Sequence, residues 1–361
     1  MFVLSCKKEI PPSTVIPPPQ NTSKTFYRGA DLSFLPEIEQ AGTVFYNGGT
    51  AASVLDILKN NGCNLVRVRL WHHPLNEHSG LDEVLDFCKR IHDRGMQILL
   101  DFHYSDTWAD PAHQSTPSSW ASADFTGLQD SVYNYTQRVI NLLIAQNTLP
   151  AIVQIGNEIN NGFLWNTGKV SSNTDPNWIN FVTLLNKAIA AVKSVDANNQ
   201  ISIMLHYAGI DGAIYFFRTI QHNVAFDMIG ISYYPWWHGK DLNTVQQQLN
   251  SLTSLNKKIM IVETAYPFTL QWKDQTQNVV GTSEELINGY DATPDGQLAY
   301  LIKLRTIISS VSNNLGIGFC YWAPDWVAFK VATSTDGSSW ENLALFDFSN
   351  NALPALQAYH E

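Results

Sequence analysis

The chain has 361 residues, of which 45% are hydrophobic and 15% charged, and its formal net charge at pH 7 is −10. These values fit a globular protein with a large core, and Lys and Arg never occur more than two in a row. Phosphate binding needs clustered cationic side chains, so the composition excludes nucleic acid as a partner.

The N-terminal segment differs in character from the rest of the chain. Residues 1–6 read MFVLSC, an apolar run, a small residue and a Cys, which resembles the end of a bacterial lipoprotein signal peptide and predicts lipidation of Cys6. Residues 7–24 are rich in Pro without periodicity, which favours an extended spacer. We expect residues 1–25 to be a signal remnant and linker. The expected location is the bacterial cell envelope, at the outer-membrane surface, with secretion as the alternative.

From residue 26 onward, short apolar runs alternate with longer segments of helical period. The predicted strands are residues 27–32, 65–70, 97–103, 151–157, 201–206, 228–233, 259–263 and 316–322. The predicted helices are residues 52–60, 81–94, 128–145, 178–195, 213–222, 245–255 and 298–311. This alternation predicts a (β/α)8 barrel that forms a single catalytic domain over residues 26–361. An open doubly wound sheet is the alternative, but the glycine-rich turn expected after its first strand is missing from the sequence.

Long segments follow the third, fourth, seventh and eighth predicted strands, at residues 104–126, 158–174, 264–293 and 323–353. Long loops inside a compact domain are usually functional. All of them lie on the carboxyl side of the strands, which is the catalytic face of a barrel. Several of the 11 Trp stand beside Pro, Asp or Gly. Exposed indole rings offer sugars a flat surface for stacking.

Two glutamates end predicted strands on opposite sides of the barrel. Glu158 follows the fourth strand and Glu263 ends the seventh, each after an apolar run. Glycoside hydrolysis needs two facing carboxyls, one protonated to release the leaving oxygen and one ionised to attack. A separation of about 5 Å would indicate a covalent, retaining route. The simpler interpretation, that each Glu caps the next turn, is weakened by their pairing on the catalytic face.

Other strand-end residues are candidates to line the same mouth. Arg67 and Arg69 alternate on the second strand, so both point to one side, and an Arg beside a carboxylate keeps that carboxylate ionised. Asn157 is placed to hold a sugar 2-hydroxyl, and Tyr233 to hydrogen-bond the nucleophile. The remaining candidates are His103, His206 and, under the reacting sugar, Trp322.

A metal-dependent hydrolase is an alternative, because several His and Asp side chains could supply ligands. The sequence contains no HExxH motif, and its cysteines do not have zinc-ligand spacing, so the signal for a metal is weak. Cys63, Cys88 and Cys320 lie in apolar stretches and are predicted to be buried free thiols.

Six segments carry distinctive motifs: residues 29–33 (GADLS), 66–71 (VRVRLW), 101–111 (DFHYSDTWADP), 154–158 (QIGNE), 262–264 (VET) and 321–324 (YWAP). Together they resemble glycoside hydrolase family 53, the endo-β-1,4-galactanases. The SDTWADP stretch is the most specific of them, and the motifs span nearly all of the predicted domain.

The resemblance implies endo-hydrolysis of β-1,4-linked galactan, the side chain of pectin, with retention of configuration. It places the acid/base at Glu158 and the nucleophile at Glu263. Further residues are implied to line the reacting subsite and its surroundings: Arg69, His103, Asn157, His206, Tyr233 and Trp322, with Asp31, Asp106 and Trp108 around them.

Two stretches depart from the family pattern. Residues 72–74 read His-His-Pro, where the family usually has Asn-Asp-Pro, which leaves the local sugar contacts open. Some bacterial members hold calcium in the loop after the seventh strand. Here that loop offers Asp274, with Glu341 as a further candidate, whereas Ca²⁺ takes about six or more oxygens. We expect no cofactor for catalysis and leave a structural Ca²⁺ open.

Two other functions fit part of the pattern. A β-mannanase or β-1,4-glucanase on the same barrel would carry the same two acids. A non-catalytic glycan-binding lipoprotein of the cell surface would explain the anchor and the loop Trp residues, but not both glutamates. We favour a monomeric enzyme that acts on a polysaccharide and contacts a membrane only through its lipid anchor.

Overall fold

A computed structural model of the protein describes residues 25–172 and 174–360, in which eight parallel strands close into a barrel. Each strand hydrogen-bonds its neighbours in chain order, and the last strand pairs with the first. The predicted (β/α)8 fold is therefore confirmed, whereas Cys6 and residues 7–24 lie outside the described part. The strands are β1 Tyr27–Asp31, β2 Leu65–Leu70, β3 Gln97–Phe102, β4 Ile152–Ile155, β5 Ser202–Ala208, β6 Met228–Ser232, β7 Lys258–Glu263 and β8 Gly316–Trp322.

Helices occupy the connections between the strands. They are α1 Leu35–Gln40, α2 Val54–Asn60, α3 Leu81–His92, α4 Phe125–Ala145, α5 Trp178–Val195, α6 Ala213–Ile220, α7 Pro235–His238, α8 Leu242–Leu252 and α9 Pro294–Ser309. In α3, Val84, Phe87, Cys88 and Ile91 recur at helical spacing and are buried against the sheet. Acidic residues in its first turn and basic residues in its last turn complement the helix dipole. None of the helices within the described residues is both long and apolar enough to cross a bilayer.

Some elements begin or end away from their predicted limits. α4 starts at Phe125 rather than at residue 128, because the side chain of Asp124 caps it by accepting a hydrogen bond from the Gly127 amide. β4 ends at Ile155 rather than at residue 157, because Gly156 has a φ of +78°, which leaves the extended conformation. The short helices α1 and α7 are not among the predicted helices.

The barrel interior is filled in two layers. The lower layer is an apolar floor formed by Leu65, Leu99, Ile152, Met204, Met228, Met260, Val262, Ile317 and Cys320. Two residues further along their strands, on the same inward face, come the buried polar side chains Arg67, Asp101, Gln154 and His206. The polar layer therefore lies between the floor and the barrel mouth.

The three cysteines of the described residues, Cys63, Cys88 and Cys320, are buried free thiols, as predicted. Burial raises the pKa of Cys63 and of Cys88 to about 12, so neither thiol ionises at neutral pH.

Candidate active site

A cavity of about 470 Å³ opens at the carboxyl ends of the barrel strands. Eight of the eleven residues predicted for the site line it: Asp31, Arg69, His103, Trp108, Asn157, Glu158, Glu263 and Trp322. The other three, Asp106, His206 and Tyr233, lie outside the lining.

Glu158 is turned toward the cavity by left-handed backbone after β4. Gly156 has a φ of +78° and Glu158 a φ of +47°. A Cβ atom at position 156 would lie 2.5 Å from Cγ2 of Ile159, so the turn requires glycine there. Non-glycine residues in this backbone region concentrate at functional sites.

Glu263 reaches the same cavity through an irregularity in β7. Ile231 pairs with Ile261, but the next residue, Ser232, pairs with Glu263, so β7 carries one extra residue. Val262 stays in the apolar floor, and the extra residue allows Glu263 to turn to the mouth.

The two glutamates face each other across the cavity. One carboxylate oxygen of Glu158 and one of Glu263 lie within 4.8 Å of each other. Retaining glycosidases place their two carboxyls about 5–5.5 Å apart, whereas inverting enzymes leave about 6.5–9.5 Å for a water. The separation therefore fits a covalent route.

Glu263 is held by one cation and one hydroxyl. Arg67 Nη1 lies 2.7 Å from its Oε1, and the Tyr234 hydroxyl donates to its Oε2 at 3.0 Å. Burial raises the pKa of Glu263, while Arg67 acts in the opposite direction. The salt bridge favours the ionised form of Glu263.

Glu158 has a different environment. Burial and the charge of Glu263 raise the pKa of Glu158 to about 8. Its Oε1 lies 2.7 Å from the hydroxyl of Ser232, at the end of β6. Glu158 therefore holds a proton at neutral pH, as a general acid requires.

Arg67, rather than Arg69, is the arginine beside Glu263. Its guanidinium also contacts Asp31 at 2.7 Å and Asp101 at 2.8 Å, so it neutralises a buried cluster of carboxylates. Burial acts to raise the pKa of Asp101, but Arg67 and His103 outweigh burial and lower it.

Arg69 lies two residues after Arg67 on β2, closer to the mouth of the barrel. Its guanidinium carbon is 4.7, 4.4 and 4.2 Å from the ring centroids of Phe34, Trp71 and Trp108, and it donates hydrogen bonds to Ser79. Burial lowers the pKa of Arg69 to about 10, so it stays charged at neutral pH. Arg69 therefore lines the cavity and supports its aromatic wall.

The predicted contact between Tyr233 and the nucleophile is not formed. The Tyr233 hydroxyl donates to the Gly239 carbonyl, and it is Tyr234 that donates to Glu263. Because β6 ends at Ser232, alternation no longer decides which of the two tyrosines faces inward.

Asp106 has a structural environment outside the cavity. It accepts hydrogen bonds from the amide and hydroxyl of Ser118, and these bonds fix the loop after β3.

His103 and His206 belong to the inner polar layer. His103 contacts Asp101 through Nε2 at 3.1 Å, and His206 contacts Asn157 and Ser232 through its two ring nitrogens. Burial lowers the pKa of both imidazoles, which are neutral at pH 7.

Three tryptophans of the aromatic lining are not among the predicted site residues. Trp237, Trp326 and Trp340 join Trp108 and Trp322 around the cavity, and the rings of Trp322 and Trp340 are 4.6 Å apart. The signal for them was their position in the segments that follow β6 and β8. Periodicity could not select them, because loop residues have no regular alternation.

One group of potential metal ligands occurs within the described residues: Glu158, His206 and Glu263. Both ring nitrogens of His206 are engaged by Asn157 and Ser232, and Arg67 already neutralises Glu263. The donor set therefore suits an acid and a nucleophile better than a metal.

A closed (β/α)8 barrel with two facing glutamates at the ends of β4 and β7 defines a glycoside hydrolase of the retaining barrel type. The family model described as Glycosyl hydrolase family 53 matches residues 27–359. The chain belongs to glycosyl hydrolase family 53, and it is a glycoside hydrolase that acts on a polysaccharide.

Named relatives and solved structures agree with this assignment. The chain is 39% identical to an arabinogalactan endo-β-1,4-galactanase of Cellvibrio japonicus over 340 residues, which cover 91% of this chain and 89% of the relative. It is 37% identical to the family 53 catalytic domain of Ignisphaera aggregans, with a TM-score of 0.86 over 95% of this chain and 98% of that one. A fungal β-1,4-galactanase structure is 32% identical with a TM-score of 0.78, covering 92% of this chain and 98% of its own.

Proposed function

We propose that the protein cleaves internal β-1,4-galactosidic bonds of galactan and type I arabinogalactan by a retaining double displacement. The observation that carries this proposal is the pair Glu158 and Glu263, with oxygens within 4.8 Å of each other and opposite electrostatic surroundings. The galactanase names of relatives at 39% and 30% identity support the substrate class.

In the first step Glu158 donates its proton to the glycosidic oxygen, and Glu263 attacks the anomeric carbon from the opposite face. The bond to the leaving chain breaks and a glycosyl–enzyme ester forms. In the second step ionised Glu158 takes a proton from water, whose oxygen displaces Glu263 from the sugar. Arg67 and Tyr234 keep Glu263 ionised and oriented before the attack.

We assign the surrounding predicted residues to binding and positioning. Trp322 provides the surface under the reacting sugar, and Trp108 a neighbouring wall that Arg69 supports. Asn157 lines the cavity, where it is placed to hold the sugar 2-hydroxyl. The others act through neighbouring groups: Asp31 through Arg67, His103 through Asp101, His206 through Asn157 and Ser232, and Asp106 through its loop.

Product analysis on linear β-1,4-galactan, mannan and cellulose derivatives tests the substrate class. We expect mixed oligosaccharides from galactan alone, with the β-anomer formed first by NMR. Glu263→Gln should lower kcat about 10³-fold or more and leave galactan binding intact. Faster cleavage of mannan or glucan would instead indicate a mannanase or glucanase. Binding of galactan without product release by the intact protein would indicate a surface glycan-binding lipoprotein.

We also propose that Cys6 carries a lipid that anchors a monomeric enzyme to the outer face of the bacterial envelope. The support is the MFVLSC sequence and the Pro-rich spacer after it. Labelling of cells with a clickable fatty acid should mark the wild-type protein and leave Cys6→Ser unmarked. Equal labelling of both proteins would contradict the anchor.

A structural calcium ion between the loops after β7 and β8 is the last element of this proposal. Asp274 Oδ2, Asn278 Oδ1 and Glu341 Oε2 are buried without a hydrogen-bond partner within the described residues. Unsatisfied buried oxygens are costly, and hard cations take oxygen ligands. These residues fit Ca²⁺, which would supply structural cross-linking and no catalytic chemistry.

A further inference from the structure

A row of buried side chains leads inward from Glu158. Its Oε1 lies 2.7 Å from Ser232 Oγ, which lies 2.8 Å from His206 Nε2. His206 Nδ1 lies 2.9 Å from Asn157 Oδ1. His206 and Ser232 are fully buried, so these contacts are not shared with bulk water.

The orientation of the Asn157 amide fixes one end of this row. Its Nδ2 donates to the Ala109 carbonyl at 2.8 Å, and its Oδ1 accepts from Arg67 Nη2 at 2.8 Å. The atom that faces His206 Nδ1 is therefore an acceptor, and this 2.9 Å contact, the shortest that Nδ1 makes, is a hydrogen bond when Nδ1 carries the proton.

Two donors also face His206 Nδ1, both farther away than Asn157 Oδ1: Gln154 Nε2 at 3.1 Å and the backbone amide of Glu158 at 3.3 Å. The two amide protons of Gln154 are taken by Asp101 Oδ1 at 2.6 Å and the Gly156 carbonyl at 3.1 Å. Burial and the nearby charge of Arg67 lower the pKa of His206, so the ring is neutral. A neutral ring with a proton on Nδ1 has an acceptor at Nε2.

Ser232 has one proton and two acceptors competing for it. When Glu158 is protonated, Glu158 donates to Ser232 and Ser232 donates to His206, which gives two hydrogen bonds. When Glu158 is ionised, the hydroxyl donates either to Glu158 or to His206, which gives one. The row therefore contains one more hydrogen bond in the protonated state of Glu158.

We propose that Ser232 and His206 are positioning residues that retain the proton on Glu158 until the glycosidic oxygen takes it. The inference rests on the proposed acid role of Glu158. No proton passes along the row: the proton of Glu158 goes to the leaving oxygen, and the Ser232 hydroxyl then rotates toward the new carboxylate. Ser232 and His206 would thus act on the reaction through Glu158, although neither side chain lines the cavity.

The charged and titratable groups around Glu158 stay in place in the variants of Ser232. They are Glu263 on β7, Arg67 on β2, Asp110 in the loop after β3, His206 on β5 and Tyr234 after β6. A change at Ser232 alone therefore reports the contribution of the hydrogen-bonded row.

The test is the pH profile of kcat/KM on galactan. Ser232→Ala removes two hydrogen bonds from the protonated state and one from the ionised state. The pKa of Glu158 should therefore fall, and the basic limb of the profile should move to lower pH by about half a unit to one unit. Ser232→Thr keeps the hydroxyl and should restore the limb. His206→Ala should lower it as well, and the double variant should add little to either single change, because His206 acts through Ser232.

A purely structural role predicts a different outcome. Thr136→Val removes a buried hydroxyl that contacts Tyr104, away from the cavity, and should lower stability without moving the limb. If Ser232→Ala moves the basic limb of the pH profile to higher pH, Ser232 donates to an ionised Glu158 and the proposal is wrong. An unmoved limb overturns it too.

A second readout separates this inference from the proposed function. In protein labelled with ¹³C at glutamate side chains, the Glu158 resonance is assigned by its loss in Glu158→Gln, and its titration needs no substrate. A lowered midpoint in Ser232→Ala supports the row even if galactan is not cleaved. An unchanged midpoint contradicts the row even if galactan is cleaved.

Discussion

Arg67 sits among three buried carboxylates, Asp31, Asp101 and Glu263, at 2.7, 2.8 and 2.7 Å. Removing the cation leaves these charges uncompensated in a region with little water, which is far costlier than losing a surface ion pair. We expect Arg67→Met to lower the free energy of unfolding by about 3–5 kcal/mol, measured by urea denaturation at pH 7.

Arg94 provides the matched control. It pairs with the half-exposed Asp56 at 2.8 Å. Exposed pairs contribute about 0–1 kcal/mol, so Arg94→Met should change the unfolding free energy by about 1 kcal/mol or less. Equal losses in the two variants would show that the buried cluster has no special role.

Glu158 links catalysis to stability. Its pKa is raised from 4.5 to about 8 in the folded protein, so the native state binds this proton more tightly than the unfolded chain. The resulting stability is fully present below about pH 4.5 and is lost as pH rises through 8. Glu158→Gln cannot ionise. It should therefore melt a few °C above wild type at pH 8.5 and close to wild type at pH 4.5, by calorimetry. A difference that does not depend on pH would contradict this assignment.

The two glutamates could be predicted from sequence because Glu158 comes shortly after an apolar strand and Glu263 ends one. The choice between Arg67 and Arg69 could not, because alternation gives the face of a strand but not the depth along it. Tyr234 could not be predicted for a related reason. β6 ends at Ser232, and beyond a strand end the direction of a side chain depends on the turn and not on alternation. Ser232 itself has no sequence signal, because one serine at a strand end is unremarkable until its neighbours are known.

Among the secondary-structure elements, the turn after β4 sets the direction of the Glu158 side chain. Gly156 has a φ of +78°, and a Cβ there would lie 2.5 Å from Ile159 Cγ2. Gly156→Ala should cost about 2 kcal/mol or more in unfolding free energy, and it should lower kcat because Glu158 follows two residues later.

Gly281→Ala is the control for this substitution. Position 281 has ordinary backbone and open space where a Cβ would lie. We expect a change within about 0.5 kcal/mol and wild-type kcat. If Gly156→Ala behaved in the same way, the turn would not be needed to orient Glu158.

The existence of each strand was predictable, whereas the ends of several elements were not. A cap such as Asp124 adds a turn to α4 beyond the apolar periodicity that predicts the helix. The extra residue in β7 is harder still, because its apolar run reads like a regular strand. Only pairing with β6 shows that Glu263 turns inward.

At the scale of the whole molecule, the loops after β7 and β8 meet around Asp274, Asn278 and Glu341. If Ca²⁺ joins them, EDTA should lower the melting temperature by several °C, and added Ca²⁺ should restore it. Glu341→Gln should weaken this response. Glu284→Gln, which changes an exposed carboxylate of the same loop, should keep it. An identical melting temperature with and without EDTA would rule the ion out.

The overall fold was the most predictable feature of the molecule, because a sequence with eight repeats of one strand–helix pattern is compatible with few folds. The meeting of distant loops was the least predictable. Asp274 and Glu341 are 67 positions apart in sequence, and the parallel pairing of β7 with β8 brings their loops together.

The buried thiols have a consequence for handling the enzyme. Cys63, Cys88 and Cys320 are unreactive while the barrel is intact, but heating to the unfolded state exposes all three sulfurs at once. Dissolved oxygen can then oxidise pairs of thiols to disulfides between unfolded chains, and these cross-links block the return to the barrel. Activity recovered after a heating and cooling cycle should therefore be higher in the presence of a reducing agent, whereas the melting temperature itself should not change.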